Sequence, residues 1–430
     1  MSIVFCALFI IFALFGEPLF IIMGGLGLLL WYLTIPIDGS LLSMLIDMKR
    51  LTSQDIFIAI PLFTFCGYIL AESNTPARLT NLVRSLLGWA HGGLAVVTLV
   101  TCAFFSAFTG ASGVTIIALG GFLYPILINE KYPEHFSLGL VTCTGGLGLL
   151  FPPSLPIILY GIVSSTSIDN LFVAGLLPGI FLVSMLSIYA VIRGKLSNVP
   201  KSKFVYKEAI AAIWEVRWEI PFPIIILVGI YGGLVTASQA SAVVALYAII
   251  IECFVYKDIS FTKDVPLIMK ESMVMVGGIL IILASAMGLT AFLIDMNVPD
   301  MILSSMKTFI TNKYWFLFVL NIFLLVVGCM MDIFSAIIVV VPLIMPIAAA
   351  FDIHPIHLGI IFLMNLEIGY MTPPVGINLF ISSFRFNKPV VTLYSAVLPF
   401  LIILFASLLV ITYCPFLSLW LIDYMGMANP

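Results

Sequence analysis

Charge is what this chain has least of. Only 9% of its 430 residues are charged and 62% are hydrophobic, against roughly 25% charged in a soluble domain. That composition excludes a soluble enzyme or binding module and leaves a polytopic membrane protein with no soluble domain in view. The 18 Lys and Arg form no long basic tract, so the net charge of −3 carries no nucleic-acid reading. Enzyme templates are missing too. Without a Walker A sequence the chain is not expected to hydrolyse ATP, and no HExxH pair occurs. Ser112 in Gly110-Ala111-Ser112-Gly113 is no GxSxG elbow and has no nearby His to activate it. His354-Pro355-Ile356-His357 reads as an interfacial loop rather than a metal site. The seven cysteines (6, 66, 102, 143, 253, 329 and 414) lack metal-like spacing and read as small packing residues, not a disulfide framework. The N-terminal Met1-Ser2-Ile3-Val4-Phe5 has no basic n-region, so the first helix is expected to be retained.

What the chain has in abundance is apolar runs, at roughly 2–15, 18–34, 56–72, 91–108, 113–128, 137–165, 171–193, 220–256, 270–294, 314–350, 357–384 and 391–424. A spanning helix needs about 20 residues, and several of these have odd lengths. The run from Ile360 to Phe384 contains Glu367-Ile368-Gly369-Tyr370-Met371-Thr372-Pro373-Pro374-Val375-Gly376-Ile377-Asn378. Two adjacent prolines break a helix, since each removes an N–H and pushes the preceding residue out of the α region. The break, near Thr372, leaves free carbonyls and free N–H groups, which hydrocarbon does not tolerate unless protein or a wet cavity covers them. The same device appears as Gly148-Leu149-Leu150-Phe151-Pro152-Pro153-Ser154. Gly369 minus Gly148 is 221, and Pro373 minus Pro152 is again 221. Tyr124-Pro125 answers Met345-Pro346 at that spacing, and Pro133-Glu134-His135-Phe136-Ser137-Leu138-Gly139 resembles Pro355-Ile356-His357-Leu358-Gly359. Paired helix breaks in two halves point to a transporter site, and inverted repeats are the usual arrangement.

The stretch Phe136–Phe151 would span about 24 Å as a helix, short of the roughly 30 Å hydrocarbon core. It is expected to join Ser154–Ser164 in one span interrupted at mid-depth. Runs 91–128 and 314–350 carry polar kinks at Ser106–Gly113 and Gly328–Ser335. Each fits a re-entrant hairpin better than two cramped spans, because turns at depth need a protein cover. Six of the 18 basic residues fall between Arg193 and Arg217, which places this central loop in the cytoplasm, and no Lys or Arg follows Lys388. The stretches 40–54 and 75–89 read as short amphipathic helices, interfacial or simply connecting.

Asp332 lies in an apolar run, Leu317–Pro346, that contains no basic residue. A mid-bilayer carboxylate costs about 2.5–3.5 kcal/mol and usually has a partner; here Na⁺ or H⁺ from solution is the inferred one, with a turn role as the alternative. Glu367 either lines the ion site or, as the reading favoured here, holds the broken helix. Glu17 before Pro18 reads as a helix-start carboxylate. Unwound carbonyls and hydroxyls suit Na⁺. The first half offers Ser106, Thr109, Ser112 and the carbonyls of Gly145–Phe151; the second offers Gly328, Asp332, Gly369 and Thr372. The helix N-termini after Pro153 and Pro374 suit a carboxylate, with Ser154 and Asn378 as contacts or merely caps.

These residues carry a family resemblance. Asn365-Leu366-Glu367-Ile368-Gly369-Tyr370-Met371-Thr372-Pro373-Pro374-Val375-Gly376 and Phe151-Pro152-Pro153-Ser154-Leu155-Pro156 with Tyr160-Gly161 resemble two signatures of the large membrane subunit of the tripartite ATP-independent periplasmic (TRAP) transporters. Ala174-Gly175-Leu176-Leu177-Pro178-Gly179 and Ile411-Thr412-Tyr413-Cys414-Pro415 also fit. The resemblance implies a multi-pass protein of the bacterial inner membrane that imports a small organic acid with Na⁺ as coupling ion and no other cofactor. It implies two partners, a small four-helix membrane subunit and a periplasmic substrate-binding protein. The implied fold is an all-α polytopic membrane protein of two repeats, with re-entrant hairpins, broken helices, a scaffold and an elevator-type transport domain. The expected divisions are 1–90 scaffold helices and interfacial arm, 91–193 first transport repeat, 194–311 cytoplasmic loop and second scaffold helices, 312–386 second transport repeat, and 387–430 C-terminal helix or helices. The implied ion ligands are Ser106, Thr109, Gly110, Ser112, Gly145, Gly148, Pro152, Gly328, Asp332, Gly369 and Thr372; the expected substrate contacts are Ser112, Thr115, Ser154 and Asn378. One departure is Val114-Thr115-Ile116-Ile117, where many relatives carry small residues, and it bears on substrate choice. The coupling ions are expected to neutralise Asp332 and order the breaks, which then bind substrate. The competing readings are an autonomous ion/organic-anion antiporter and a membrane-embedded enzyme or assembly subunit.

Overall fold

The computed structural model describes residues 19–34, 46, 58–90, 92–197, 205–231, 234–298, 301, 304, 310, 312–373 and 375–426. The run at 2–15, Glu17 with Pro18, Pro374 and all of the 40–54 stretch but Ile46 lie outside these residues. Every regular element among the described residues is helical, as a chain in lipid must be if each segment is to satisfy its own backbone. Helices α1 (Leu19–Thr34), α2 (Ala59–Glu72) and α3 (Thr75–Leu87) lead into a first unit. It comprises α4 (Gly93–Thr109), α5 (Ser112–Asn129, with a π turn over Ile116–Gly120), α6 (Glu134–Thr144), a 3-10 turn (Leu147–Leu150), α7 (Leu155–Ser164) and α8 (Ile168–Leu196). Helices α9 (Tyr206–Glu215), α10 (Pro221–Tyr231), α11 (Ala237–Val255) and α12 (Asp264–Asp295) follow. A second unit holds α13 (Lys313–Met330), α14 (Ile333–Ala349), α15 (Pro355–Gly369), α16 (Ile377–Phe386) and α17 (Val390–Tyr413), and α18 (Phe416–Tyr424) closes the chain. Six of the described helices are long and apolar enough to cross a membrane. The pair Glu134–Leu150 and Leu155–Ser164, bent by 44°, can make a seventh span.

The two units correspond element by element. From α4 to α13 the starts differ by 220 residues, from α5 to α14 and α6 to α15 by 221, and from α7 to α16 and α8 to α17 by 222. Polar contacts tie down their helix ends. Arg84 reaches Glu130 after α5 (3.1 Å), and Lys388 before α17 reaches Glu134 (2.5 Å). Lys313 donates to the Asp352 carbonyl (2.8 Å) and Tyr160 to that of Pro355 (2.8 Å).

Four sequence readings change in detail. The run 220–256 is two helices, because Thr236 and Gln239 form a capping box that starts α11 afresh. The run 391–424 likewise divides into α17 and α18. Helix α6 stops at Thr144 instead of continuing to Phe151. His357 is no loop residue: it is buried inside α15, its ring nitrogens 3.2 Å from Ser418 Oγ and from the Thr412 carbonyl oxygen. Amphipathic α3 is tied to its neighbours by Arg78, which pairs with Glu219, with Glu252 (3.0 Å) and with Asp258 (2.5 Å).

Candidate functional site

The site grows from the two hairpin turns and the two helix breaks packed on them. Between α4 and α5 the chain turns at Gly110 (φ 63°), whose N–H donates to the Ser106 carbonyl at 2.9 Å. Between α13 and α14 the matching bond, 221 residues on, runs from Met331 N–H to the Val327 carbonyl at 2.9 Å. Asp332 then caps α14, its Oδ2 accepting from Ser335 N–H at 3.0 Å.

Each break lies against a tip through one glycine. A Cβ on Gly148 would stand 2.2 Å from Ala107 N and 2.5 Å from the Ala103 carbonyl oxygen. A Cβ on Gly369 would stand 2.5 Å from Gly328 C and 2.9 Å from Cys329 N. Only a residue without a side chain permits backbones to approach so closely. Ala107 and Gly328 are themselves 221 apart, so the two tip-to-break contacts are counterparts. Further bonds hold them. Ser106 Oγ donates to the Gly145 carbonyl at 2.6 Å, and the Tyr370 hydroxyl oxygen accepts from Ile333 N–H.

The expected ligands therefore gather in two groups. Ser106, Thr109, Gly110, Gly145 and Gly148 meet at the first tip, where Thr109 Oγ1 is 3.3 Å from Thr115 Oγ1. Thr115 is thus turned back into the tip. Gly328, Asp332 and Gly369 lie at the second, where a Cβ on Gly369 would stand 2.5 Å from Gly328 C, while Thr372 Oγ1 donates to the Ile368 carbonyl at 2.8 Å within its own break. Pro152 sits to one side, on an apolar cavity of about 230 Å³ with Phe104, Phe151 and Leu176. Ser112 Oγ donates to Asn378 Oδ1 at 2.7 Å, joining the first hairpin to the second break.

Several polar groups here are buried without a partner: Ser154 Oγ, Ser335 Oγ, Asn378 Nδ2 and both carboxylate oxygens of Glu367. Buried polar atoms are normally bonded, and each exception asks for a reason such as a ligand or an ion. Capping does not supply it, because Ser154 forms no cap bond and Asn378 lies inside α16. The donors are hydroxyls, carbonyls and carboxylates, an oxygen set that fits an alkali cation, while the first turns of α7 and α16 suit an anion.

Sequence reasoning missed four contributors. Tyr370 pins the second break to its tip, a role that no spacing rule predicts. Asn365 Nδ2 donates to Asn321 Oδ1 at 2.7 Å, and Asn321 Nδ2 to Thr412 Oγ1 at 3.1 Å, linking α15, α13 and α17. An asparagine in an apolar run was the available signal. Arg385 Nε donates to the Ile117 carbonyl at 2.9 Å beside the π turn. Ile116, flagged for its bulk, packs its side chain 2.7 Å from where a Gly145 Cβ would be.

A family model described as "Tripartite ATP-independent periplasmic transporter, DctM component" matches residues 6–417. The C4-dicarboxylate TRAP transporter large permease protein DctM of Vibrio cholerae is 33% identical over 94% of each chain. The isethionate TRAP transporter permease protein DctMQ of Oleidesulfovibrio alaskensis is 34% identical over 95% of this chain, which spans 64% of that protein. The ectoine/5-hydroxyectoine TRAP transporter large permease protein UehC of Ruegeria pomeroyi is 31% identical over 85% of this chain and 86% of that protein. In fold, the chain resembles the crystal structure of the Alcanivorax borkumensis YdaH transporter, with a TM-score of 0.64 at 12% identity and 99% of each chain covered.

Proposed function

Because this chain belongs to the tripartite ATP-independent periplasmic transporters as a DctM component, an inner-membrane secondary transporter subunit rather than an enzyme, we propose that its two tip-and-break assemblies carry Na⁺ together with a small organic acid. The observation that carries this reading is the set of buried, unpartnered polar groups at the breaks. In the proposal, Na⁺ is held in one cage by Ser106, Thr109, Gly110 and the carbonyls from Gly145 to Gly148. In the other it is held by Gly328, Asp332, Gly369 and Thr372. Pro152 serves by ending the first break instead of as a direct ligand. Filling the cages orders the breaks, and the first turns of α7 and α16, with Ser154, Asn378 and Ser112, then take the substrate carboxylate. Ion and substrate favour one state, which is positive linkage.

The relatives named for C4-dicarboxylates, isethionate and ectoine support a small acid or zwitterion. The fused DctMQ relative supports a small membrane partner, and the family description supports delivery by a periplasmic binding protein. Alternating access by elevator-like movement of α4–α8 and α13–α17 against α1, α2, α11 and α12 completes the proposal. The matching order of elements in the two units supports it. Uptake into proteoliposomes holding both membrane subunits, with the binding protein outside, tests it. Substrate entry should require an inward Na⁺ gradient; uptake that ignores Na⁺ would reject ion coupling, and uptake without the binding protein would favour an autonomous carrier.

A further inference from the structure

Glu367 is 1% exposed, and neither of its oxygens has a hydrogen-bond partner. Among the described residues, no Lys, Arg or His makes an ion pair with it. Its place in the repeat is unusual. Subtracting the 221-residue spacing leads to Gly146, and Gly146 is the residue Glu367 packs against. A Cβ on Gly146 would stand 2.7 Å from Glu367 Cγ, 3.3 Å from Cδ and 3.4 Å from Oε1. Counterparts in two matching units touch only near the axis that exchanges the units, just as a residue meets its own copy only on a dimer's two-fold. The first unit leaves that position without a side chain, and the second fills it with a carboxylate.

That contact sets the carboxylate between the chain segments that contribute to the two cages. Gly145 and Gly148 lie within two residues of Gly146, and Gly369 lies two residues beyond Glu367. At about 3.8 Å per residue step, the carboxylate stands within about 10 Å of donors on either side. We propose that Glu367 is a positioning residue whose carboxylate is the counter-charge shared by both cation cages, holding Na⁺ at each without ligating either. The inference rests on the Na⁺-coupled reading above. A unit charge about 10 Å away, at an effective dielectric near 20, changes cation affinity about fifteen-fold. An isolated buried carboxylate is also unfavourable until a cation approaches, so its removal should help the ion-free protein.

The two effects have opposite signs, and a structural role predicts neither. Thermal unfolding of the purified full-length protein, titrated with NaCl against choline chloride at constant ionic strength, reads both. Wild type should be stabilised by Na⁺. Glu367→Gln should unfold at the same or a higher temperature in choline, yet need at least ten-fold more Na⁺ for half-maximal stabilisation. Glu367→Asp, which keeps the charge, should retain most of the Na⁺ response and guards against a Gln variant that fails to fold. In Ser106→Ala and Asp332→Asn backgrounds, adding Glu367→Gln should weaken whatever Na⁺ response remains in both. A Gln variant with lower stability in choline and an unchanged Na⁺ midpoint would overturn the inference, as would an effect confined to one background. A wild type indifferent to Na⁺ would instead reject the coupled reading beneath it.

Discussion

The two halves of the transport region share a backbone and differ in the donors it carries. At the first tip stand Ser106, Thr109, Ser112 and Thr115; 221 residues on, the same places hold Val327, Met330, Ile333 and Ala336. The acids are divided the other way. Ala111 and Gly146 in the first half answer Asp332 and Glu367 in the second. One half is hydroxyl-rich and uncharged, and the other contributes both carboxylates. The contrast teaches that the helix breaks supply the shape of a cage, while the side chains decide where its charge resides. Two full sets of carboxylates would bring four negative charges into a region where, among the described residues, no cationic side chain is paired with Asp332 or Glu367. Each such charge is costly to bury.

Matched substitutions probe the comparison most severely at the glycines. Gly148→Ala and Gly369→Ala each place a Cβ within 2.5 Å of backbone atoms in the facing tip, which cannot yield as a flexible side chain can. Both should destabilise by at least the ~1–3 kcal/mol of ordinary overpacking, read by thermal unfolding, and abolish uptake. If one is tolerated, the halves are not equivalent in backbone. Asp332→Asn comes next. Asn caps helices as well as Asp, so unfolding without Na⁺ should shift little while the Na⁺ midpoint rises about ten-fold, the effect of ~1.4 kcal/mol. Placing the acid in the other half, Ala111→Asp, should not restore it. Ser112→Ala breaks the bond to Asn378 and should raise the KM for substrate several-fold, about 1 kcal/mol for one hydrogen bond, with the Na⁺ midpoint unchanged. A shifted midpoint would place Ser112 in the ion cage rather than the substrate contact.

The smallest effect lies outside the lipid-spanning segments. Burial works against the Asp258 carboxylate, but hydrogen bonds from Arg78 and Asn74 outweigh it and hold its pKa below the usual value. A depressed native pKa contributes stability above the unfolded value, near 3.9, and loses it as pH falls through the native one. Asp258→Asn should therefore flatten the acid limb of a stability profile below about pH 4 while leaving the Na⁺ response of both halves untouched.

Much of this was legible in the chain. Adjacent prolines in apolar runs force a break wherever they occur, so both breaks and their 221-residue spacing follow from local backbone chemistry. The hairpin turns were readable as polar kinks for the same reason. Contacts between the halves were not. Asn378 and Ser112 are 266 residues apart, and nothing local to either announces the other. Glu367 read as a brace for its own helix because sequence gives no view of what faces a side chain. Tyr370 looked like another aromatic in an apolar run until its hydroxyl met Ile333.

Read alone, the residues determined that the chain lives in a membrane, that two of its helices are interrupted, and that the interruptions are counterparts. Those are consequences of composition and of proline and glycine geometry, which act within a few residues. Which tip packs on which break, and that Gly146 and Glu367 meet, belonged to the tertiary structure alone. Such pairings depend on how distant segments close around a shared space, and a linear pattern of apolar residues is compatible with many closures.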